Sequence, residues 1–187
     1  MILLDPDLAP SNPPLASRAK GPVPSSRADC LPSVRSLTTF LCKAQTAVRL
    51  RGQVSVLLTT DKEIRRLNRR FRGKNKATDV LSFPAAAGPE KLAGDLAISV
   101  PTAAKQGRAC GHPLAAEIKI LILHGLLHLA GYDHETDEGQ MARRERLLRA
   151  KLRLPVGLIE RAADSGSAKE YGHKEKGAGA CGRSAER

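Results

Sequence analysis

Aromatic residues are scarce in this chain of 187 residues: they make up 3% of it, and tryptophan is absent. The core must therefore be built from aliphatic side chains, and stacking of bases on exposed rings is not expected to be the main mode of recognition.

The four cysteines, Cys30, Cys42, Cys110 and Cys181, are scattered without a C-x-x-C pair. With no export signal beside them, they favour a reduced, cytosolic setting.

Long apolar runs are also missing. No stretch reaches the ~20 apolar residues that a membrane-spanning helix needs. The first residues, M-I-L-L-D-P-D, are too short an apolar run for a signal peptide, and no basic segment precedes them. We therefore expect a cytoplasmic protein that does not associate with membranes.

Acidic residues are outnumbered, with 19 Asp and Glu against 31 Lys and Arg, a formal net charge of +12. This balance favours a polyanionic partner, although a basic protein without a nucleic-acid role is the alternative. Eight cations lie between Lys62 and Lys76, against Glu63 alone. A solvated face is the ordinary explanation, but a phosphate backbone would relieve the repulsion between these charges. The candidate RNA contacts are Arg65, Arg69, Lys74 and Lys76.

Three of the five histidines lie in one stretch, L-I-L-H-G-L-L-H-L-A-G-Y-D-H. His124 and His128 fall in an apolar run that is typical of a buried helix, where residues i and i+4 are about 40° apart around the axis and ~6 Å along it. Gly131 suits a left-handed helix end, after which the chain can turn and bring His134 back. The pattern predicts one metal site, although a single histidine on an apolar face is usually a core residue.

Three neutral imidazoles favour one Zn²⁺ or a similar first-row divalent ion, and they leave a coordination position open for water. Asp133 could orient a ligand imidazole or could equally cap the turn. Gly125 occupies the position at which a protease of the H-E-x-x-H type carries its general base, so the usual route of peptide hydrolysis lacks its glutamate.

The histidine motif H-G-L-L-H-L-A-G-Y-D-H resembles the signature of the YbeY family, bacterial metal-dependent endoribonucleases of ribosomal RNA maturation. Two further segments resemble the family in the same order, F-R-G-K-N-K-A-T-D-V-L-S-F-P from Phe71 and G-D-L-A-I-S from Gly94. The resemblance covers about residues 36–154, and a glycine at 125 is normal for the family.

The resemblance implies a single-strand-specific endoribonuclease that matures the 3′ end of small-subunit (16S) ribosomal RNA and acts in ribosome quality control. Its partners would be single-stranded or ribosomal RNA and the ribosome or a small-subunit precursor. Arg72 matches the family's functional arginine and would clamp the scissile phosphate. It could instead be one more phosphate-binding cation, or pair with an acid such as Asp79. The rival functions are a non-catalytic ribosome-assembly factor with a structural metal and a metal-dependent hydrolase of peptide or amide bonds.

We expect an α+β (mixed α/β) fold with a small sheet of about four strands, covered by helices, with the histidine helix against one face. The resemblance implies a mixed sheet with one antiparallel edge strand. Residues 1–35 are expected to form a short strand, over 2–8, and a proline-rich linker. Residues 36–154 would form the nuclease domain, with Ser36 capping its first helix and Thr136 its last. Residues 155–187 would form a basic, mostly disordered tail.

Overall fold

The structure, a computed structural model, describes residues 1–8, 30–86, 92–134 and 136–155. The predicted linker and tail fall mostly on residues 9–29 and 156–187, outside the described residues. The strands and helices follow in this order: β1 (Ile2–Leu4), a short 3-10 helix (Pro6–Leu8), α1 (Val34–Val48), β2 (Gln53–Thr59), α2 (Asp61–Arg72), β3 (Val80–Pro84), β4 (Leu92–Ser99), α3 (Val100–Ala109), α4 (Leu114–Leu129) and α5 (Gln140–Leu152).

The strands form one mixed sheet in the order β1-β2-β4-β3. The pairs β1–β2 and β2–β4 are parallel, with Val56 opposite both Ile2 and Leu96. The edge strand β3 runs antiparallel to β4, with Val80 opposite Ile98. The α+β class and the mixed sheet with one antiparallel edge strand are therefore confirmed.

The two faces of the sheet bury different side chains, because successive residues of a strand point to opposite sides. On one face, Val56 and Leu58 of β2 join Leu96 and Ile98 of β4 in the main core, which α1 and α4 cover. On the other face a smaller cluster packs against α2, with Ile64 fully buried.

The histidine helix α4 is apolar on nearly all sides, as the sequence predicts. It packs against α1, α3, β3, β4 and α5, and Leu121, Ile122 and Leu123 are all fully buried. Burial of each such side chain is worth roughly 1.5–3 kcal/mol, so the site rests on one of the most firmly packed elements. No single helix of the described residues is long and apolar enough to cross a membrane; only α3 and α4 together, bent by 111°, pass that test.

Two predicted helix caps are wrong. Ser33, not Ser36, is the N-cap of α1, since its side chain accepts a hydrogen bond from the Ser36 backbone N–H at 3.3 Å. Thr136 caps no helix, because α5 begins at Gln140, where the Asp137 carboxylate accepts from the Met141 N–H at 2.8 Å. In both cases another side chain one turn or less away satisfies the helix's first N–H groups.

The first strand is also shorter than expected. It ends at Leu4, and residues 6–8 form the 3-10 helix. Pro6 has no N–H for a sheet hydrogen bond, which favours the end of the strand here.

Candidate functional site

The three histidines of the motif converge at the end of α4. His124 and His128 lie one turn apart, and their Nε2 atoms are 3.1 Å from each other. The ring of His134 lies 5.3 Å from each of the other two, between centroids. One nitrogen from each ring falls within 4.8 Å of the others, which is a grouping that could hold a metal ion.

A tight turn after α4 returns His134 to this position. The Gly131 N–H donates to the His128 carbonyl at 3.0 Å, and the Tyr132 N–H donates to the Leu127 carbonyl at 3.1 Å. This pair of bonds is the Schellman ending of a helix, and it needs a left-handed residue. Gly131 supplies it with φ +90°. The turn is the reason that a histidine outside the helix faces two histidines within it.

The site keeps the imidazole of His128 neutral. Burial, together with the neighbouring rings of His124 and His134, lowers the pKa of His128 from its ordinary value of 6.5 to about 4. A neutral ring has a lone pair on one nitrogen, and this is the form that binds a metal. At neutral pH His128 is therefore ready to act as a ligand.

The donor set fits a first-row divalent metal. Two nitrogens that bind one tetrahedral zinc at ~2.0–2.1 Å are about 3.3 Å apart. The two Nε2 atoms of His124 and His128 are 3.1 Å apart, close to that value. Imidazole nitrogen suits zinc, copper, iron and nickel better than it suits magnesium or calcium. Three such ligands would leave a further coordination position open to the cleft.

A buried acid lies behind His124. Oε1 of Glu145, on α5, is 3.7 Å from the Nδ1 atom of His124, and Glu145 is only 1% exposed. Since Nε2 of His124 faces the other histidines, Nδ1 is the nitrogen left to carry the proton. A carboxylate at this nitrogen holds the tautomer and the orientation of a metal-binding imidazole.

Gly125 is a packing position. A Cβ atom there would lie 2.7 Å from Cδ2 of Leu96 and 3.3 Å from Oγ of Ser82. The helix therefore packs closely against β3 and β4 at this position. A glutamate here, as in the H-E-x-x-H motif, would require the buried side chain of Leu96 to shift.

A cleft of about 570 Å³ joins Arg72 to the histidines. Its other polar lining residues are Thr78, Asp79, Ser82, Tyr132 and Asp133. Arg72 is the last residue of α2, and Gly73 ends that helix in the left-handed region at φ +68°. The structure thus brings the predicted catalytic arginine to the predicted metal ligands, although more than fifty residues separate them in the sequence.

The Asp79 carboxylate is held by other donors. Its Oδ1 accepts from Thr78 Oγ1 at 3.0 Å and from the Val80 N–H at 2.8 Å. Its Oδ2 accepts from Gln106 Nε2 at 3.0 Å. Within the described residues Arg72 has no ion pair or hydrogen bond, so its guanidinium is available to a ligand.

Asp133 also lines the cleft, and its Oδ2 accepts from Thr136 Oγ1 at 3.1 Å. This contact agrees with the turn-capping alternative. The charge of Asp133 also acts on His128. It raises the pKa of His128, but burial and the two neighbouring histidines lower that pKa by more. Whether it orients a ligand stays a prediction.

The other predicted RNA contacts do not line the cleft. All of them are exposed: Arg65, Arg69, Lys74 and Lys76. One neighbouring cation of α2 is engaged, since Arg66 pairs with Glu63 at 2.5 Å. The remaining charges form a basic surface on α2 and the loop after it.

Sequence reasoning missed the position of Glu145. It is the only acid between Arg143 and Arg153, and it shares a buried helical stripe with Met141 and Leu148, at i+4 and i+7. An isolated acid on the apolar stripe of a basic helix was the available signal.

Comparison with known proteins shows the family of the chain. The profile of the family described as endoribonuclease YbeY matches residues 27–153. Proteins named endoribonuclease YbeY include one from Koribacter versatilis, 57% identical over 129 residues, covering 69% of this chain and 84% of the relative. Another, from Solibacter usitatus, is 52% identical over 126 residues, covering 67% of this chain and 84% of the relative.

A Helicobacter pylori protein of the same name is 40% identical over 132 residues, covering 71% of this chain and 89% of the relative. A solution structure of a Thermotoga maritima protein matches with 24% identity and a TM-score of 0.47, covering 77% of this chain and 96% of that chain. The matched range spans all three histidines and Arg72, and the family resemblance found in the sequence is confirmed. The chain belongs to the endoribonuclease YbeY family.

Proposed function

We propose that this protein is a metal-dependent endoribonuclease that cleaves single-stranded RNA. Family membership supports cleavage of RNA. The observation that carries the proposal is the single cleft that holds Arg72 together with His124, His128 and His134. Three metal-binding nitrogens and one guanidinium are groups that can together promote hydrolysis of a phosphodiester.

Each residue of the cleft would have a separate role in cleavage. The three histidines would hold one zinc or similar divalent ion, which would supply Lewis-acid chemistry toward water and a phosphoryl oxygen. Arg72 binds the scissile phosphate with its planar fork and opposes the charge that develops on it. Thr78 and Asp79 line the same cleft as Arg72, and the Thr78 hydroxyl donates a hydrogen bond to the Asp79 carboxylate.

The cellular setting of the proposal follows the family resemblance. The substrate would be ribosomal RNA, processed at the 3′ end of the small-subunit 16S RNA, with the ribosome or a small-subunit precursor as partner. The location would be the cytoplasm. The net charge of +12 supports a polyanionic partner of this kind.

Cleavage of a single-stranded RNA by the metal-loaded protein tests the proposal. We expect cleavage by the wild type, loss of cleavage with a chelator, and recovery when zinc is returned. His128→Ala should lose both metal and cleavage, whereas Glu138→Gln, an exposed change in the loop before α5, should lose neither. RNA binding without cleavage in every metal tested would instead indicate an assembly factor with a structural metal.

The peptidase alternative is disfavoured by the surroundings of Gly125, which leave no room for the glutamate base of the H-E-x-x-H type. A peptide-cleavage assay run beside the RNA assay, on the same metal-loaded sample, measures this directly. We expect no turnover of peptide.

A further inference from the structure

Phe71 presents its ring to solvent at the end of α2. It is 58% exposed, whereas Phe40 is 8% exposed in the main core. The ring is supported from one side by Phe83 of β3, with centroids 5.2 Å apart and an angle of 64° between the planes. A ring that packs against one neighbouring ring and is otherwise largely exposed to solvent is suited to stacking.

The ring belongs to a groove of about 470 Å³ on the sheet face that α2 covers only in part. Leu57, Leu67 and Ala97 line it together with the two phenylalanines, and Asp95 stands at its side. An exposed apolar groove of this kind, beside a strongly basic helix, is typical of a surface that binds a partner.

Charge indicates what the groove receives. The Arg70 guanidinium lies over the Phe71 ring, 5.3 Å from its centre, so a base would stack there in its place or beside it. The other exposed cations of α2 lie along the same helix. These charges attract phosphates, whereas the exposed Asp95 carboxylate repels them and can accept a hydrogen bond from a base amino group. The groove is thus suited to an uncharged base, with its phosphates on the neighbouring cations.

The groove and the histidine cleft meet at the edge of the sheet. Arg72, next to Phe71, lines the cleft, and so do Ser82 and Pro84 on either side of Phe83. Because side chains alternate along a strand, Phe83 faces the groove while its two neighbours face the cleft. An RNA strand that passes around the edge strand β3 would contact both places.

We propose that Phe71, supported by Phe83, stacks an unpaired base of the RNA whose phosphate is bound at Arg72. This inference rests on the proposed function and adds to it the way in which a single strand is recognised. A base inside a duplex is already stacked on both faces, so this contact selects unpaired RNA.

The test compares full-length, metal-loaded variants on a labelled single-stranded RNA of about 10 nucleotides, within the usual site size of single-strand binders. The dissociation constant is taken from stopped-flow association and dissociation rates, so that cleavage does not distort it. We expect Phe71→Ala to weaken binding by about 5- to 150-fold. Phe71→Trp should bind at least as tightly as the wild type. The matched control is Leu147→Ala, an equally exposed apolar change on the basic helix α5, which should leave binding unchanged.

Two further readouts distinguish stacking from a general disturbance. The dependence of affinity on salt should keep its slope in Phe71→Ala, since no phosphate contact is removed. Metal content should also stay at the wild-type level. A shallower salt slope would mean that the change displaced Arg70 or Arg72, and it would overturn the stacking proposal.

Abasic RNAs locate the stacked nucleotide. When single bases are removed in turn, one position should weaken binding to the wild type but not to Phe71→Ala, as expected for two partners of one contact. If no position behaves in this way, or if Phe71→Ala binds like Leu147→Ala, the proposal is wrong. A change in oligomeric state with unchanged RNA affinity would also overturn it, because the groove would then be an interface between copies.

Failure of this inference and failure of the proposed function give different results. Wild-type protein that binds RNA through Phe71 but never cleaves it would support stacking and refute the nuclease. Wild-type protein that cleaves RNA while Phe71→Ala binds normally would refute stacking alone.

Discussion

The Nδ1 atom of His124 lies 3.7 Å from Oε1 of Glu145, and both residues are buried. The carboxylate comes from α5 and the imidazole from α4, so this contact connects the metal site to the last helix of the described chain. The separation is longer than a hydrogen bond, but carboxylates commonly support metal-binding histidines from this side, so we predict that Glu145 helps to position the ring of His124.

Replacement of Glu145 tests this role. We expect Glu145→Ala to weaken metal affinity by about 10- to 100-fold, measured by competition with a chelator of known affinity. Glu145→Gln should lose less, because its amide oxygen can still accept from Nδ1–H. Glu138→Gln, which removes an exposed acid nearby, is the control and should bind metal like the wild type. Unchanged metal affinity in Glu145→Ala would show that the contact does not support the ligand.

The rate of RNA cleavage should depend on the planar shape of the Arg72 side chain as well as on its charge. Arg72→Lys keeps the charge but loses the planar fork, so cleavage should fall by roughly 10²-fold, with RNA affinity and metal content little changed. Arg35→Lys, an exposed change on α1, is the matched control and should cleave normally. Wild-type cleavage by Arg72→Lys would reduce Arg72 to one more phosphate-binding cation.

Gly125 should tolerate no larger side chain. Gly125→Ala places a methyl group 2.7 Å from Leu96, and such overpacking typically costs about 1–3 kcal/mol in the free energy of unfolding. Gly125→Glu should cost more and should not create a peptidase. The control is Ala115→Glu, a partly exposed change on the same helix. The urea concentration at the unfolding midpoint is measured for all three variants. If Gly125→Glu unfolded at the wild-type midpoint, Gly125 would not be a position of close packing.

The metal-free protein should lose stability in acid. The pKa of His128 is about 4 in the folded state and near its ordinary 6.5 when unfolded, so the unfolded state binds more protons between these values. Stability from this group is present above pH 6.5 and is lost as the pH falls to about 4. Urea midpoints with a chelator present should show this decline, and His128→Gln should reduce it. An equal decline in both proteins would assign the effect to other groups.

Much of the site followed from local sequence, because helix geometry alone brings residues i and i+4 to one face. That rule placed His124 beside His128, and the glycine at 131 indicated the left-handed turn that returns His134. The inner face of α1, with Leu37, Phe40 and Ala44 buried, was predictable by the same periodicity. The helix caps were harder to predict, because several serines, threonines and aspartates near the start of a helix can each accept hydrogen bonds from the same N–H groups.

By itself, then, the sequence determined the histidine helix, its turn, the basic surface of α2 and membership of the family, since each is expressed in consecutive residues. The tertiary structure alone decided the contacts between separate elements. It placed Arg72 in the histidine cleft, set Glu145 behind His124 and left the ring of Phe71 exposed. The physical reason is that such contacts depend on how α2, α4 and α5 pack on the sheet, and spacing along the chain does not contain that information.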